Sequence, residues 1–174
     1  LITSSNGTVP LIHRYRERLE QRVRIALPKE PALAIAINKE RTLEVARRLG
    51  LHIPRAVNVR MVSEVGAALG EIGLPAVIKP TESWTWNRHQ GVGLVSKLVT
   101  TPDEARRIVE ELESLGITML FQQFLAGRRE SLTFLYANSE IYARFAQWGK
   151  RTNPPLGGES VLGESIAMPP DIAD

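Results

Sequence analysis

A mixed α/β (α+β) fold, with short sheets covered by helices, is predicted by three observations. Residues 55–125 read in the order strand, helix, strand, strand, helix, strand, so apolar patterns of period 2 alternate with patterns of period 3.6. Residues 131–148 hold two extended apolar runs on either side of Asn138-Ser139, which predicts an antiparallel hairpin. The chain has 174 residues, 43% of them hydrophobic, enough to build a core.

Ile12, Tyr15, Leu19 and Val23 recur at helical spacing in a charged segment and predict one apolar stripe. Arg24 to Leu27 is then expected as a short strand, with Leu1-Ile2 ending an earlier one, and Pro28 and Pro31 punctuate the chain. Asn38 can cap a helix to Leu49, with Leu43, Ala46 and Leu49 on one side and Gly50 beyond its end. Arg55 to Val59 reads as a strand, Ser63 to Ile72 as a helix stopped by Gly73, and Pro75 to Lys79 as a buried strand. Gly91 to Ser96 is expected as the next strand, across a polar loop. Thr101-Pro102-Asp103-Glu104 combines a capping Thr, Pro at the first helical position and Glu three residues after the cap. The helix it starts turns Ala105, Ile108, Val109, Leu112 and Leu115 inward and stops at Gly116. Thr118 to Leu125 is a strand, Gly127 permits a turn, and Ser131 to Tyr136 pairs with Glu140 to Trp148. From Lys150 onward, with Pro154-Pro155 and Gly157-Gly158, the chain reads as loop.

Charge and composition narrow the function classes. Lys plus Arg number 22 against 19 acidic residues, a net +3 that suits a nucleotide or another small anion and is too weak to argue for nucleic acid. Arg47, Arg48, Arg106, Arg107, Arg128 and Arg129 fall on polar helix faces and a turn, the pattern of a solvated surface. There is no cysteine, hence no disulfide and no thiolate nucleophile, which fits a reducing compartment. His13, His52 and His89 lie in different segments and give no metal cluster. No apolar run approaches the about 20 residues that span a bilayer, and the start lacks a signal peptide's pattern, so a cytoplasmic protein without a membrane partner is expected. Leu1 at the start, and an end at Asp174 without a closing element, read as cuts through a longer chain.

Binding a nucleoside triphosphate takes cations for its phosphates, an apolar slot and backbone groups for the base, and an acceptor for the ribose. Lys79 ends the apolar run of PAVIKP, so the strand would anchor its stem and let the ammonium emerge at the sheet edge. Lys39 follows the capping Asn38, near a helix N-terminus whose backbone also favours anions. Taken singly, an ordinary strand-end lysine and a surface lysine are the competing readings.

In their setting these residues resemble the ATP-grasp superfamily, which includes biotin carboxylase and the large chain of carbamoyl-phosphate synthase. Asn38-Lys39 stands where that family has Asp-Lys at a helix start, and LGLHIPRA (49–56) resembles its passage into the small ATP lid. GLPAVIKP (73–80) resembles the strand with the second phosphate-binding lysine, and LFQQFLAGRRES (120–131) the hinge under the adenine. The resemblance covers about residues 1–165 and implies an incomplete ATP-grasp fold. Residues 1–54 would close a preceding α/β unit, 55–126 form the ATP-lid subdomain, and 127–174 open the large subdomain with its antiparallel hairpin. Lys39 and Lys79 would hold the phosphates. Gln122, Gln123, Phe124 and Leu125 would form the hinge, and Glu130 would accept the ribose hydroxyls. The implied ligands are ATP, Mg2+ and a small carboxylate that is activated as an acyl phosphate for attack by an amine or similar nucleophile. The implied metal ligands, a Glu and a Glu-x-Asn, would lie past residue 174, so this piece is expected to turn over little by itself.

The departures from the family pattern are local. The stretch 81–91 has one glycine, at its end, where many members carry a glycine-rich phosphate loop. Arg88 could replace backbone amides there with guanidinium donors, and Trp84 and Trp86 read as lid packing or a substrate-side surface. Arg151 falls where related members approach the acceptor substrate. Gln122 and Gln123 stand where a hinge acid is common. A nucleotide-binding module without catalysis is the rival reading, and a basic nucleic-acid module the less favoured one. No Walker pattern occurs, and Gly91-Val92-Gly93 alone does not make a dinucleotide site.

Overall fold

The computed structural model describes residues 1–3, 5–87, 90–155 and 158–170. It divides into two units, Leu1–Phe124 and Leu125–Asp174, each of which is described by itself.

The first unit opens with two short helices, α1 (Thr8–Arg14) and α2 (Arg16–Glu20). Their stripe is only half realised: Ile12 is buried, while Tyr15 and Val23 are exposed. The strand expected at Arg24 to Leu27 does not form. Two backbone hydrogen bonds with Leu1 stand in its place, from the Leu1 amino group to the Arg24 carbonyl and from the Ala26 amide to the Leu1 carbonyl, too few for a ladder. A helix absent from the sequence reading, α3 (Ala32–Ile37), follows and buries Leu33. Asn38 separates it from α4 (Lys39–Arg48) and caps α4 as expected, its side-chain oxygen accepting from the Arg41 amide at 3.2 Å. Leu49, expected on the inner stripe, is 71% exposed because α4 has ended one residue earlier.

The centre of this unit is a four-stranded antiparallel sheet ordered β1-β6-β2-β5, from β1 (Ala56–Val59), β2 (Ala76–Pro80), β5 (Lys97–Val99) and β6 (Met119–Gln123). Helices α5 (Val65–Ile72) and α6 (Pro102–Glu113) share one core with it. Val65, Ala68, Ile72, Ala105, Ile108, Val109 and Leu112 meet Val59, Ala76, Ile78, Val99, Met119 and Phe121 there. The local rules are visible at α6: Thr101 accepts from the Glu104 amide at 3.3 Å, and the Glu104 carboxylate accepts from the Thr101 and Thr100 amides. Gly73 and Gly116 adopt positive φ where α5 and α6 stop.

The strand expected at Gly91 to Ser96 forms only over Gly91 to Gly93 and does not join the central sheet. A small hairpin, β3 (Trp84–Asn87) with β4 (Gln90–Gly93), occupies that stretch, and the strand that pairs with β2 is Lys97–Val99. The reason is an indole. A side-chain carbon placed on Gly91 would stand 2.3 Å from the Trp84 ring, and one on Gly7 2.9 Å, so both glycines make room for that ring.

The second unit is a three-stranded antiparallel sheet, β7 (Arg129–Ala137), β8 (Glu140–Asn153) and β9 (Glu159–Ser165), in that order. The hairpin turns at Asn138 and Ser139, both at positive φ. Two stretches expected as loop are therefore strand: β8 runs on to Asn153, and β9 (Glu159–Ser165) pairs back on it.

Candidate functional site

The period of two along the central strands sorts the candidate residues onto faces. Ala76 and Ile78 point into the core, so Val77 and Lys79 point to the opposite face of the sheet. On β6, Met119 and Phe121 point inward, and Leu120 and Gln122 away. The register sets Lys79 beside Leu120 and Val77 beside Gln122, giving a patch with one ammonium and one buried amide on an apolar floor. Helix α4 lies on this same face: Leu43, Ala56, Asn58 and Leu120 line one small cavity, and Asn58 donates to the Glu40 carboxylate.

The start of α4 is fastened to the chain leaving β2. The Lys39 amide donates to the Thr81 carbonyl at 2.9 Å, and Asn38 forms a bridge with Glu82. The Lys39 ammonium reaches back to the Pro80 carbonyl at 2.9 Å and the Ser83 hydroxyl at 3.0 Å. Lysines 40 positions apart in the chain thus meet at the end of one strand. Burial pushes the Lys39 pKa below the ordinary lysine value, the neighbouring Lys79 charge pushes it further, and Glu82 partly opposes both. Two cations held together in a half-buried corner make a place that a polyanion relieves.

The residues expected as a hinge lie at and just beyond the other end of β6. Gln122 is 8% exposed. The Gln123 amide donates to the Arg55 carbonyl at 2.9 Å and the Phe124 amide to the Pro75 carbonyl at 3.4 Å, so these two N–H groups serve the sheet. Leu125, 61% exposed, opens the second unit. Glu130, also in that unit, takes the Arg128 guanidinium at 2.7 Å and faces Trp148 across the ladder. Arg128 stacks on the Trp148 ring at 4.2 Å, with the Lys150 ammonium at 4.8 Å. Arg151 lies on β8 opposite Leu162, in a strand rather than the expected loop. Arg88 lies outside the described residues.

Of the candidates, Lys39, Lys79 and Gln122 gather on one sheet face with the sheet end that holds Gln123. Sequence reasoning missed Glu82 and Ser83, which complete the surroundings of Lys39. Their signal was present, since Thr81-Glu82-Ser83 directly follows the strand that carries Lys79. Among the described residues no group of three or more His, Cys, Asp or Glu is placed to hold a metal ion. No helix among them is long and apolar enough to cross a membrane.

An antiparallel four-stranded sheet with two helices on one face, followed by a three-stranded antiparallel sheet, is an arrangement found in solved structures. The chain carries part of the ATP-grasp fold. It superposes on an L-amino acid ligase from Bacillus licheniformis with a TM-score of 0.66 at 17% identity, over 94% of this chain and 38% of that one. A D-alanine–D-alanine ligase from Bacillus anthracis, solved with ATP, gives 0.64 at 15% identity over 97% and 53%. An N5-carboxyaminoimidazole synthase from Aspergillus clavatus, solved with ADP and its ribonucleotide, gives 0.60 at 13% over 87% and 36%. The chain therefore spans about half or less of the length of these similar structures. No protein-family model and no curated protein sequence matches it.

Proposed function

We propose that this chain is the ATP-binding part of a ligase that activates a small carboxylate. The observation that carries the reading is the meeting of Lys39 and Lys79 at the exit of β2, on the sheet face turned away from the core. The reading is supported by similar structures of two ligases and a synthase, two of the three solved with ATP or ADP. In this reading the two ammonium groups bind phosphate oxygens and stabilise the charge that builds on the transferring phosphoryl group. The adenine edge presents one donor and one acceptor. The Gln123 carbonyl suits the first, the Leu125 amide the second, and the buried Gln122 amide and the Phe124 ring border the base. Glu130 is assigned to the ribose, while Arg88 and Arg151 are assigned to the substrate side.

The chemistry balances with ATP, a carboxylate and an amine. A carboxylate oxygen attacks the γ-phosphorus, the bond from that phosphorus to the β,γ-bridging oxygen breaks, and ADP leaves. The amine then attacks the acyl carbon, inorganic phosphate departs with the C–O electron pair, and the amine's proton passes to solvent. This chain's share is to hold and orient the triphosphate. The described residues do not compose a metal site, so no step is assigned here to Mg2+.

Displacement of a fluorescent ATP analogue tests the class of ligand. ATP and tripolyphosphate are expected to displace it, and single-stranded RNA at equal phosphate concentration is not. Displacement by RNA as efficient as by ATP would replace the nucleotide reading with a general polyanion surface.

A further inference from the structure

The Trp84 side chain sits where its own chemistry opposes it. Its ring lies against two glycines far apart in the chain: a side-chain carbon on Gly91 would stand 2.3 Å from it, and one on Gly7 2.9 Å. Its Nε1 is buried and has no hydrogen-bond partner among the described residues. An indole N–H can only donate, so burying it without an acceptor forfeits the hydrogen bond that water would give it. Ring contact with the glycines and the unmade hydrogen bond therefore pull in opposite directions, and the seat is easily left. Room to leave is adjacent, since the ring is one wall of a cavity of about 190 Å³ that Val9, Ile37 and Ser83 also line.

The same seat restrains Lys39. Ser83, the residue before Trp84, accepts the Leu94 amide at its carbonyl at 2.9 Å, and its hydroxyl takes the Lys39 ammonium at 3.0 Å. A second donor of that ammonium goes to the Pro80 carbonyl. While the indole is seated, Lys39 is thus engaged by two neutral acceptors. A charged phosphate oxygen outcompetes a hydroxyl for an ammonium donor, so phosphate binding and the release of Ser83 favour each other.

We propose that the seated Trp84 is an autoinhibitory latch on the phosphate corner. Seated, the indole keeps Ser83 at Lys39 and holds the affinity for a triphosphate down. A bound triphosphate draws Lys39 off Ser83, and the indole leaves its glycines for a position where its N–H meets an acceptor. The latch rests on the function proposed above, as the regulation of that same site. Because the seated form competes with the ligand, a change that unseats the ring beforehand raises the apparent affinity.

The test is fluorine NMR of the 174-residue chain labelled with 5-fluorotryptophan, beside calorimetric titration with ATP. The chain has three tryptophans, and the Trp84 signal is the one missing from Trp84→Phe. ATP is expected to move that signal. In Gly91→Ala the added methyl has no space beside the ring, so the signal should stand near its ATP-bound position with no ATP present. That variant should also bind ATP about threefold or more tighter than the wild type. Gly7→Ala crowds the ring from outside the hairpin and should act in the same direction by a smaller factor; it carries the test where the melting temperature shows Gly91→Ala to be unfolded. A Trp84 signal that stays in place although calorimetry shows ATP bound would overturn the latch and leave the nucleotide reading standing. Folded alanine variants that bind ATP no tighter than the wild type would do the same. ATP binding by no protein of the series would sink the nucleotide reading and the latch together.

Discussion

The two larger sheets of this chain are both antiparallel, yet they are ordered by different means. The β1-β6-β2-β5 sheet carries α5 and α6 on one face, and Val59, Ile78, Val99, Met119 and Phe121 are almost fully buried between them. In the β7-β8-β9 sheet, Ala146 is the buried apolar residue among those described, while Phe134, Leu135, Tyr136, Ile141, Tyr142, Phe145, Val161 and Leu162 are exposed. The first sheet is held by removal of apolar surface from water, the second by its ladder of hydrogen bonds and a few surface pairs such as Arg128–Glu130 and Lys150–Glu164. The lesson for the candidate site is that Lys79 stands on the covered sheet and Lys39 at the start of the capped helix fastened to it, whereas Glu130 and Arg151 stand on the other sheet.

Truncation gives the largest way to break this contrast. Phe121→Ala is expected to cost the first unit about 3–5 kcal/mol, and Phe145→Ala to fall within about 0.5 kcal/mol, both measured by urea unfolding. Comparable losses at the two sites would erase the distinction. A smaller effect sits at the start of α6: Thr101→Ala should cost about 1 kcal/mol by the same measurement. Its partner Glu104 is held below the ordinary glutamate pKa by the Thr100 amide, then the Thr100 hydroxyl and the Thr101 amide. A carboxylate whose folded pKa is depressed stabilises the fold above its unfolded value, and that stability disappears as pH falls through the folded value. Glu104→Gln should therefore flatten the acid side of the stability profile, and an unchanged profile would show that the capping box contributes nothing.

How much of this was legible in the chain depended on whether the signal was local. The caps at Asn38 and Thr101, the stop at Gly73 and the turn at Asn138-Ser139 are written in consecutive residues and appear where the sequence puts them. PAVIK carried its own burial, with Ala76 and Ile78 at the core and Lys79 at the opposite face. The failures share a long-range cause. Lys97–Val99 became the strand beside β2 because the preceding residues were claimed by the Trp84 hairpin, and Trp84 is seated partly by Gly7, nearly eighty residues away. Ala32–Ile37 is a run of apolar residues too short to tell helix from strand by its period. Residues 150–153 are polar on both faces, so their pairing with β9 left no alternation to read. For the candidate site, sequence order supplied the two lysines, but the bonds that carry the Lys39 ammonium to the Pro80 carbonyl and Ser83, just past Lys79, are a product of folding.

The electrostatics of that corner give the finest prediction. Lys39 titrates below the usual lysine range chiefly because it is buried, and next because Lys79 is near. Bound phosphate favours the protonated form, so ATP affinity should fall as pH rises through the lowered Lys39 value. In Lys79→Met that fall should move to higher pH, because one cause of the depression is gone. An unmoved midpoint would mean that the two charges do not sense each other.

The most direct measurement is the affinity of ATP for the wild-type chain and for Lys79→Met at neutral pH, by calorimetry. If both cations face one triphosphate, the substitution weakens binding by about tenfold or more, since a charge-assisted contact contributes about 1.5–3 kcal/mol. Equal affinity of the two proteins would contradict the claim that this sheet face is where the phosphates bind.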